Sequence, residues 1–252
     1  MGNEITVIIL THNEANNIAE AIATSRWADE IIVFDSFSED ETVEIARREG
    51  ARVLQRPFDN YAAQRNAALD AAETPWIFFL DADERIPQPL AEEIREAVKD
   101  PEKAGWWVPR HNHIVGKVIM HAGWYPDYQL RLMLKSKARY DPTREVHEVV
   151  LLDGEAGYLR TPLVHFNYDS WSEFRAKQRK YMAYEAGIMF KQGIRPKPHN
   201  FVLQPLREFR RRYFSLEGWK DGWHGLWLSL LMAYYTFVMY SYLRGMWKGK
   251  AT

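Results

Sequence analysis

The chain reads as an α/β protein built on a parallel sheet that turns mixed in its second half. Three observations predict this. Short apolar runs rich in β-branched residues alternate with helical segments over the first hundred residues, the pattern of a sheet covered on both faces. The links between them are short. Beyond Lys99 the pattern changes to short strands separated by Gly, Pro and Asp.

Ile5-Thr6-Val7-Ile8-Ile9-Leu10 is a strand by β-branching and apolar continuity. Asn16 to Ser25 follows as a helix with Ile18, Ala21 and Ile22 on one face. Ile31 to Phe34 is a second strand, ending at Asp35. Ser38-Glu39-Asp40-Glu41 has the spacing of a capping box, opening a helix that runs from about Glu41 to Glu49 and stops at Gly50. Ala51 to Leu54 is a third strand, Ala62 to Ala72 a third helix, and Trp76-Ile77-Phe78-Phe79-Leu80 a fourth strand. Leu90 to Lys99 is a helix; Trp106–Pro109, Tyr128–Leu134, Val146–Leu152 and Leu159–Val164 are strands. A long polar helix covers Ser170 to about Gln192. The expected organisation is residues 1–100 and 101–169 as two halves of one domain, with 170–252 as a helical extension.

Composition narrows the function. Cys is absent among the 252 residues, which excludes disulfides, thiolate metal sites and cysteine catalysis. No basic and apolar leader precedes Ile5, so no secretory signal is expected. The net charge of −1 hides an asymmetry: residues 170–252 carry 15 Lys/Arg against 5 Asp/Glu, the rest 18 against 29. A basic tail suits an anionic partner. Gly225 to Leu243 is uncharged but holds Ser229, Thr236, Ser241 and four tyrosines, between Arg210-Arg211-Arg212 and Arg244, Lys248 and Lys250. Basic flanks and interfacial aromatics suit a helix on an anionic leaflet. A span and a packed or oligomeric interface are the alternatives. Nucleic acid fits poorly, because the charge flanks an apolar stretch rather than interleaving with aromatics.

The chemistry-bearing residues gather at strand ends, where ligands bind in such sheets. Thr11-His12-Asn13-Glu14 follows the first strand and Asp35-Ser36 the second. Asp81-Ala82-Asp83 follows the fourth and can offer oxygen ligands to a hard cation that holds a diphosphate. Each piece alone has an ordinary structural reading: a helix cap for Asp35, a capping turn for Thr11 and Glu14, a solvated helical face for Arg65. His111, His113 and His121 have no zinc-site spacing, and none is assigned.

In this order the motifs resemble the nucleotide-sugar-binding half of family 2 inverting glycosyltransferases of the GT-A fold. The matches are Val7 to Glu14, Asp35-Ser36-Phe37-Ser38-Glu39-Asp40-Glu41-Thr42, Gln64-Arg65-Asn66-Ala67-Ala68-Leu69 and Leu80-Asp81-Ala82-Asp83-Glu84. Gly123 to Leu132, Val146-His147-Glu148 and His165 extend the likeness to the bacterial branch that includes lipopolysaccharide core β-glucosyltransferases. The resemblance implies a GT-A, Rossmann-like mixed sheet flanked by helices. It implies a donor such as a uridine-diphosphate hexose, held by Thr11, Asn13, Glu14, Asp35, Arg65 and Asp81. Asp83 is the implied leading ligand of Mg²⁺ or Mn²⁺; Asp81 lies on the ribose or the metal shell, and His165 is a late ligand. Glu148 is the implied general base, with Asp127 the second candidate or an acceptor-orienting group. The implied acceptor is a lipopolysaccharide core, other glycolipid or polysaccharide, met at the cytoplasmic face of the inner membrane; a homo-oligomer through the C-terminal helices is the other use of the tail. Two rivals stand beside this. A sugar nucleotidyltransferase would need a Gly-rich, basic loop after the first strand, which is missing. A non-catalytic sugar-nucleotide-binding scaffold would not need Asp81, Asp83 and Glu148 together.

Overall fold

The computed structural model describes residues 2–142 and 149–249. It forms two compact units, residues 1–110 with 127–165 and residues 111–126 with 166–252.

In the first unit, strands β1 (Ile5–Thr11), β2 (Glu30–Asp35), β3 (Arg52–Gln55) and β4 (Trp76–Asp81) are parallel and ordered β3-β2-β1-β4. Their intervening helices are α1 (Ile18–Ser25), α2 (Thr42–Arg48) and α3 (Tyr61–Ala71). Strand side chains alternate between faces, and both faces are apolar here. Ile5, Val7, Ile9, Phe78 and Leu80 pack with Ile18 and Ile22 of α1; Ile8, Ile32, Phe34, Ile77 and Phe79 pack with Ala68 and Leu69 of α3. That two-sided burial is why these strands are continuous apolar runs.

The short β5 (Glu84–Arg85) and helix α4 (Gln88–Ala97) follow, and Leu90, Ala91 and Ile94 join the first of those cores. β6 (Lys103–Ile114) is three times the length expected from Trp106–Pro109. Pro109 lies inside it, opposite Tyr128, and the register irregularity falls at Trp106/Trp107 instead. After the two-residue β7 (Lys117–Val118), β8 (Asp127–Leu134) runs antiparallel to both β4 and β6, which makes the sheet mixed. β9 (Ala138–Tyr140) pairs with β10 (Val150–Leu152) as a separate ribbon, β11 (Glu155–Tyr158) lies along β6, and β12 (Leu163–Tyr168) pairs antiparallel with β5. Of the strand expected over Val146–Leu152, the part from Val146 to Glu148 lies outside the described residues.

The second unit holds α5 (Trp171–Lys191), α6 (Asn200–Arg210) and α7 (Gly222–Gly249). Ser170 caps α5, its hydroxyl accepting from the Glu173 amide at 3.2 Å. The apolar stretch is longer than its uncharged part, and α6 was not foreseen, because Pro196, Pro198 and Pro205 punctuate that segment. Leu228 and Tyr235 of α7 pack with Phe174 of α5 and with Ile114, Ile119 and Tyr168. Asp221 accepts from the amides of Met120 (3.2 Å) and His121 (2.8 Å) and contacts the His121 ring at 3.2 Å. Compact packing therefore departs from boundaries near 100 and 169: residues 111–126 belong with the tail. Part of the tail, at Phe174, Leu228 and Tyr235, forms the core of that unit.

Candidate active site

The parallel register brings the strand ends together in the first unit: Thr11 is opposite Asp35, Asp35 opposite Gln55, and Leu10 opposite Asp81.

Asp35 is fully buried, and its carboxylate is already satisfied. One oxygen accepts from the Thr11 hydroxyl (3.1 Å) and the Ser38 hydroxyl (2.5 Å), the other from the Ser38 amide (2.9 Å) and Gln55 Nε2 (3.0 Å). Four donors reach the lone-pair sites of this carboxylate, so Asp35 ties three strand ends together. This also corrects the capping box. Ser38 turns back to Asp35, α2 opens at Thr42, and the Thr42 amide donates to Asp40 at 3.0 Å. Burial would raise the Asp35 carboxyl, but the bonds from Ser38, Gln55 and Thr11 hold it below its ordinary value of 3.8. The stability it contributes is full above that value and is lost as pH falls through the lowered one. Asp35→Asn should therefore be less stable than wild type near neutral pH, with the gap closing in acid. Urea unfolding at pH 7 and pH 3 measures this, and a gap independent of pH would contradict it.

Asn13 has left-handed backbone (φ 58°), its amide donating to Ser38 Oγ at 2.8 Å and its side-chain oxygen accepting from the Glu39 amide at 2.8 Å. The Glu14 carbonyl opens α1 by accepting from Asn17 and Ile18, and its amide donates to Thr42 Oγ1 at 2.8 Å. Thr11, Asn13 and Glu14 thus build the loop wall.

Asp81 is turned to arginines. Arg131 Nη2 donates to it at 2.5 Å, Arg131 Nη1 at 3.3 Å and Arg65 Nη2 at 3.3 Å. Against the cost of burial, Arg131, Arg65 and Arg110 hold the Asp81 carboxyl well below the usual range. Arg65 itself stacks over Phe79 and Tyr140, 5.1 and 5.5 Å from the ring centroids. Glu84 lies beneath, with no exposed surface. It accepts from Arg131 (2.6 Å), Arg110 (3.2 Å) and the Asp81 amide (2.9 Å). Arg110 continues to Asp127 Oδ2 at 2.6 Å, and Gln129 donates to Asp127 Oδ1 at 2.9 Å. Sequence reasoning gave no role to Glu84, Arg110 or Arg131. An acidic residue following a buried strand's Asp-x-Asp, with arginines on the facing strands, was the available signal.

Asp83 and His165 do meet, Oδ2 to Nε2 at 3.4 Å, because β12 pairs with β5 at His165 and Glu84. Glu148 lies outside the described residues. Among the described residues no three His, Cys, Asp or Glu side chains form a cluster able to hold a metal, and Asp81 is turned to Arg131 and Arg65. A carboxylate oxygen beside an imidazole nitrogen still fits a protein's share of a Mn²⁺ or Mg²⁺ shell completed by diphosphate oxygens and water.

Residues 6–164 match the family model described as "Glycosyl transferase family 2". The chain belongs to glycosyl transferase family 2. This glycosyltransferase is 30% identical over 241 residues to "Lipopolysaccharide core biosynthesis glycosyltransferase LpsC" of Rhizobium meliloti (strain 1021), covering 93% of this chain and 89% of LpsC. It is 27% identical to an "Uncharacterized glycosyltransferase" of Rickettsia bellii (strain RML369-C), over 96% and 86% of the two chains. The crystal structure of glucosyl-3-phosphoglycerate synthase from Mycobacterium tuberculosis in complex with phosphoglyceric acid superposes with a TM-score of 0.50 at 18% identity. The match covers 78% of the glycosyltransferase and 82% of the synthase, and it shows the shared GT-A fold. The enzyme is a family 2 glycosyltransferase.

Proposed function

We propose that this enzyme is an inverting glycosyltransferase that moves a hexose from a uridine-diphosphate sugar to a hydroxyl of a lipopolysaccharide-core or other lipid-linked or polysaccharide acceptor. The observation that carries the reading is the meeting of Asp83 with His165 just past the carboxyl end of β4, beside the arginines that hold Asp81. Asp83 and His165 would hold Mg²⁺ or Mn²⁺. Such an ion, when bound, neutralises charge on the departing diphosphate. Arg65 lies beside that position and supports the same developing charge. Glu148 takes the proton of the acceptor hydroxyl. The acceptor oxygen then bonds to the anomeric carbon from the face opposite the diphosphate. The glycosidic bond to the diphosphate breaks, its electron pair leaves on the phosphate oxygen, and the configuration inverts.

Asp127 is the weaker choice of base. Arg110 and Gln129 already donate to both of its oxygens, which suits a positioning role. The test is Glu148→Gln against Asp127→Asn, with turnover and UDP binding measured separately. Glu148→Gln should lower kcat by about 10²–10⁴-fold and leave UDP affinity unchanged. Wild-type turnover in Glu148→Gln would remove Glu148 from the mechanism.

The acceptor class rests on what LpsC is named for and on the tail. α7 is long and apolar enough to cross a membrane by length and composition, yet one side of it is core. Trp223, Trp227, Leu230, Tyr234 and Phe237 recur at helical spacing as an exposed stripe. A helix half covered by protein and half by exposed aromatics suits a peripheral position on a membrane surface, here the cytoplasmic face of the inner membrane.

A further inference from the structure

Apart from the catalytic residues, the second unit contains a cavity of about 620 Å³ between α6, the turn after it and α7, with Met182 of α5 on one wall. Its chemistry is divided. Met182, Met232, Met239 and Tyr240 are half-buried and line it with apolar surface; Arg207, Arg210 and Arg211 line it with exposed charge. Glu208 is the acid among the lining residues, and it is committed elsewhere: it holds Arg211 at 2.7 Å and Arg212 at 2.5 Å. Among the described residues no carboxylate pairs with Arg207 or Arg210. Both belong to the last turn of α6, where a cation also favours the helix dipole. That accounts for the arginines and not for a methionine-walled cavity behind them.

The same helix carries its exposed apolar residues at the other end. Val202, Leu203 and Leu206 are between 50% and 66% exposed, and Leu203, Arg207 and Arg210 share one face at i, i+4 and i+7. One helix therefore carries exposed apolar residues and a cationic end, and the cationic end lines a cavity of ligand size whose apolar walls come from Met182, Met232, Met239 and Tyr240. Guanidinium forks match phosphate oxygens, and methionine walls adapt to a flexible chain.

We propose that this cavity binds one anionic glycerophospholipid, its phosphate between Arg207 and Arg210 and its acyl chain along Met182, Met232 and Met239. The site makes attachment lipid-specific, beyond the attraction that any basic tail has for an anionic leaflet. The inference rests on the membrane reading of the tail, and the experiment separates the two.

Full-length protein labelled at its methionine methyl carbons is titrated with monomeric dihexanoyl phosphatidylglycerol, with dihexanoyl phosphatidylcholine, and with inorganic phosphate. Phosphatidylglycerol should produce saturable shifts at Met182, Met232 and Met239; phosphate alone should leave these methyls unmoved, and phosphatidylcholine should bind more weakly. Arg207→Glu with Arg210→Glu should weaken the lipid by about 30-fold, taking roughly a fivefold loss per cation near such a head group. Arg244→Glu with Lys248→Glu makes the same charge change outside the cavity lining and should leave the shifts intact. Should the arginine pair fail to fold, Met239→Trp fills the cavity and should block the lipid while UDP binding persists. No methyl shift, equal loss in both charge variants, or binding of free phosphate but not lipid would each overturn the proposal. Flotation with phosphatidylglycerol vesicles supplies the other arm. If vesicles bind but the monomeric lipid does not, the cavity site fails and the membrane reading stands. If the monomeric lipid binds and vesicles do not, the cavity site stands and the exposed α7 stripe belongs to an interface between copies, which sedimentation would detect.

Discussion

Arg131→Met should destabilise the first unit by about 3–5 kcal/mol, the cost of leaving a buried carboxylate without its partner. Arg131 is 5% exposed, and its guanidinium bridges two acids, Asp81 and Glu84, at 2.5 and 2.6 Å. Burial opposes its charge, yet those carboxylates keep it protonated well above the ordinary arginine range. Without it, Glu84 retains one guanidinium contact, from Arg110 at 3.2 Å, and the Asp81 amide at 2.9 Å. Arg131→Lys should recover little, because a single ammonium cannot fork between two acids as a guanidinium does. Removing both charges, with Glu84→Gln in the same chain, should recover part of the loss. Equilibrium urea unfolding reads all three. A loss below about 1 kcal/mol, the range of an exposed pair, would show that the network is not needed for folding.

Asp83→Ala should lower sugar transfer by at least about 10²–10³-fold, the scale for losing one group that stabilises charge in a transition state. Mn²⁺-dependent UDP binding should fall with it. Folding should survive, since Asp83 is at a strand exit and its ion pair is with His165 at 3.4 Å, partly exposed. His165→Ala should act in the same direction. Calorimetry of UDP binding with and without Mn²⁺, beside a transfer assay, measures both effects. Metal-independent binding and full activity in Asp83→Ala would remove the metal from the mechanism.

The sheet was legible because its strands are buried on both faces, so composition alone marks β1, β2 and β4. Their common carboxyl end was legible for the same reason, and with it the gathering of Thr11, Asp35 and Asp81. What each side chain does there was harder to read. Asp35 and Ser38 have the residue types of a ligand site and of a helix cap; only the approach of Gln55 and Thr11 from neighbouring strands shows the carboxylate to be full. Asp81 has a metal ligand's residue type, but its partner Arg131 is 50 residues away. That meeting depends on the antiparallel register of β8 against β4. Asp83 and His165 are 82 positions apart in the chain, and family resemblance, not spacing, joined them. The tail was legible only in its composition. An uncharged aromatic stretch reads as a membrane helix whether or not one side of it packs on protein, and the side that packs is visible only beside Phe174 and Ile119.

Asp221 has a consequence for how the chain is made. Its carboxylate fixes Met120 and His121, about a hundred residues earlier, and the core it closes needs Leu228 and Tyr235 from further on still. At about 5–20 residues per second on the ribosome, the interval is roughly 5–20 s. Throughout it Ile114 and Ile119 have emerged without the helix that covers them. The second unit is therefore assembled only once Asp221 and the helix after it have been made, and a nascent chain stalled before residue 221 presents an open apolar surface to chaperones and proteases.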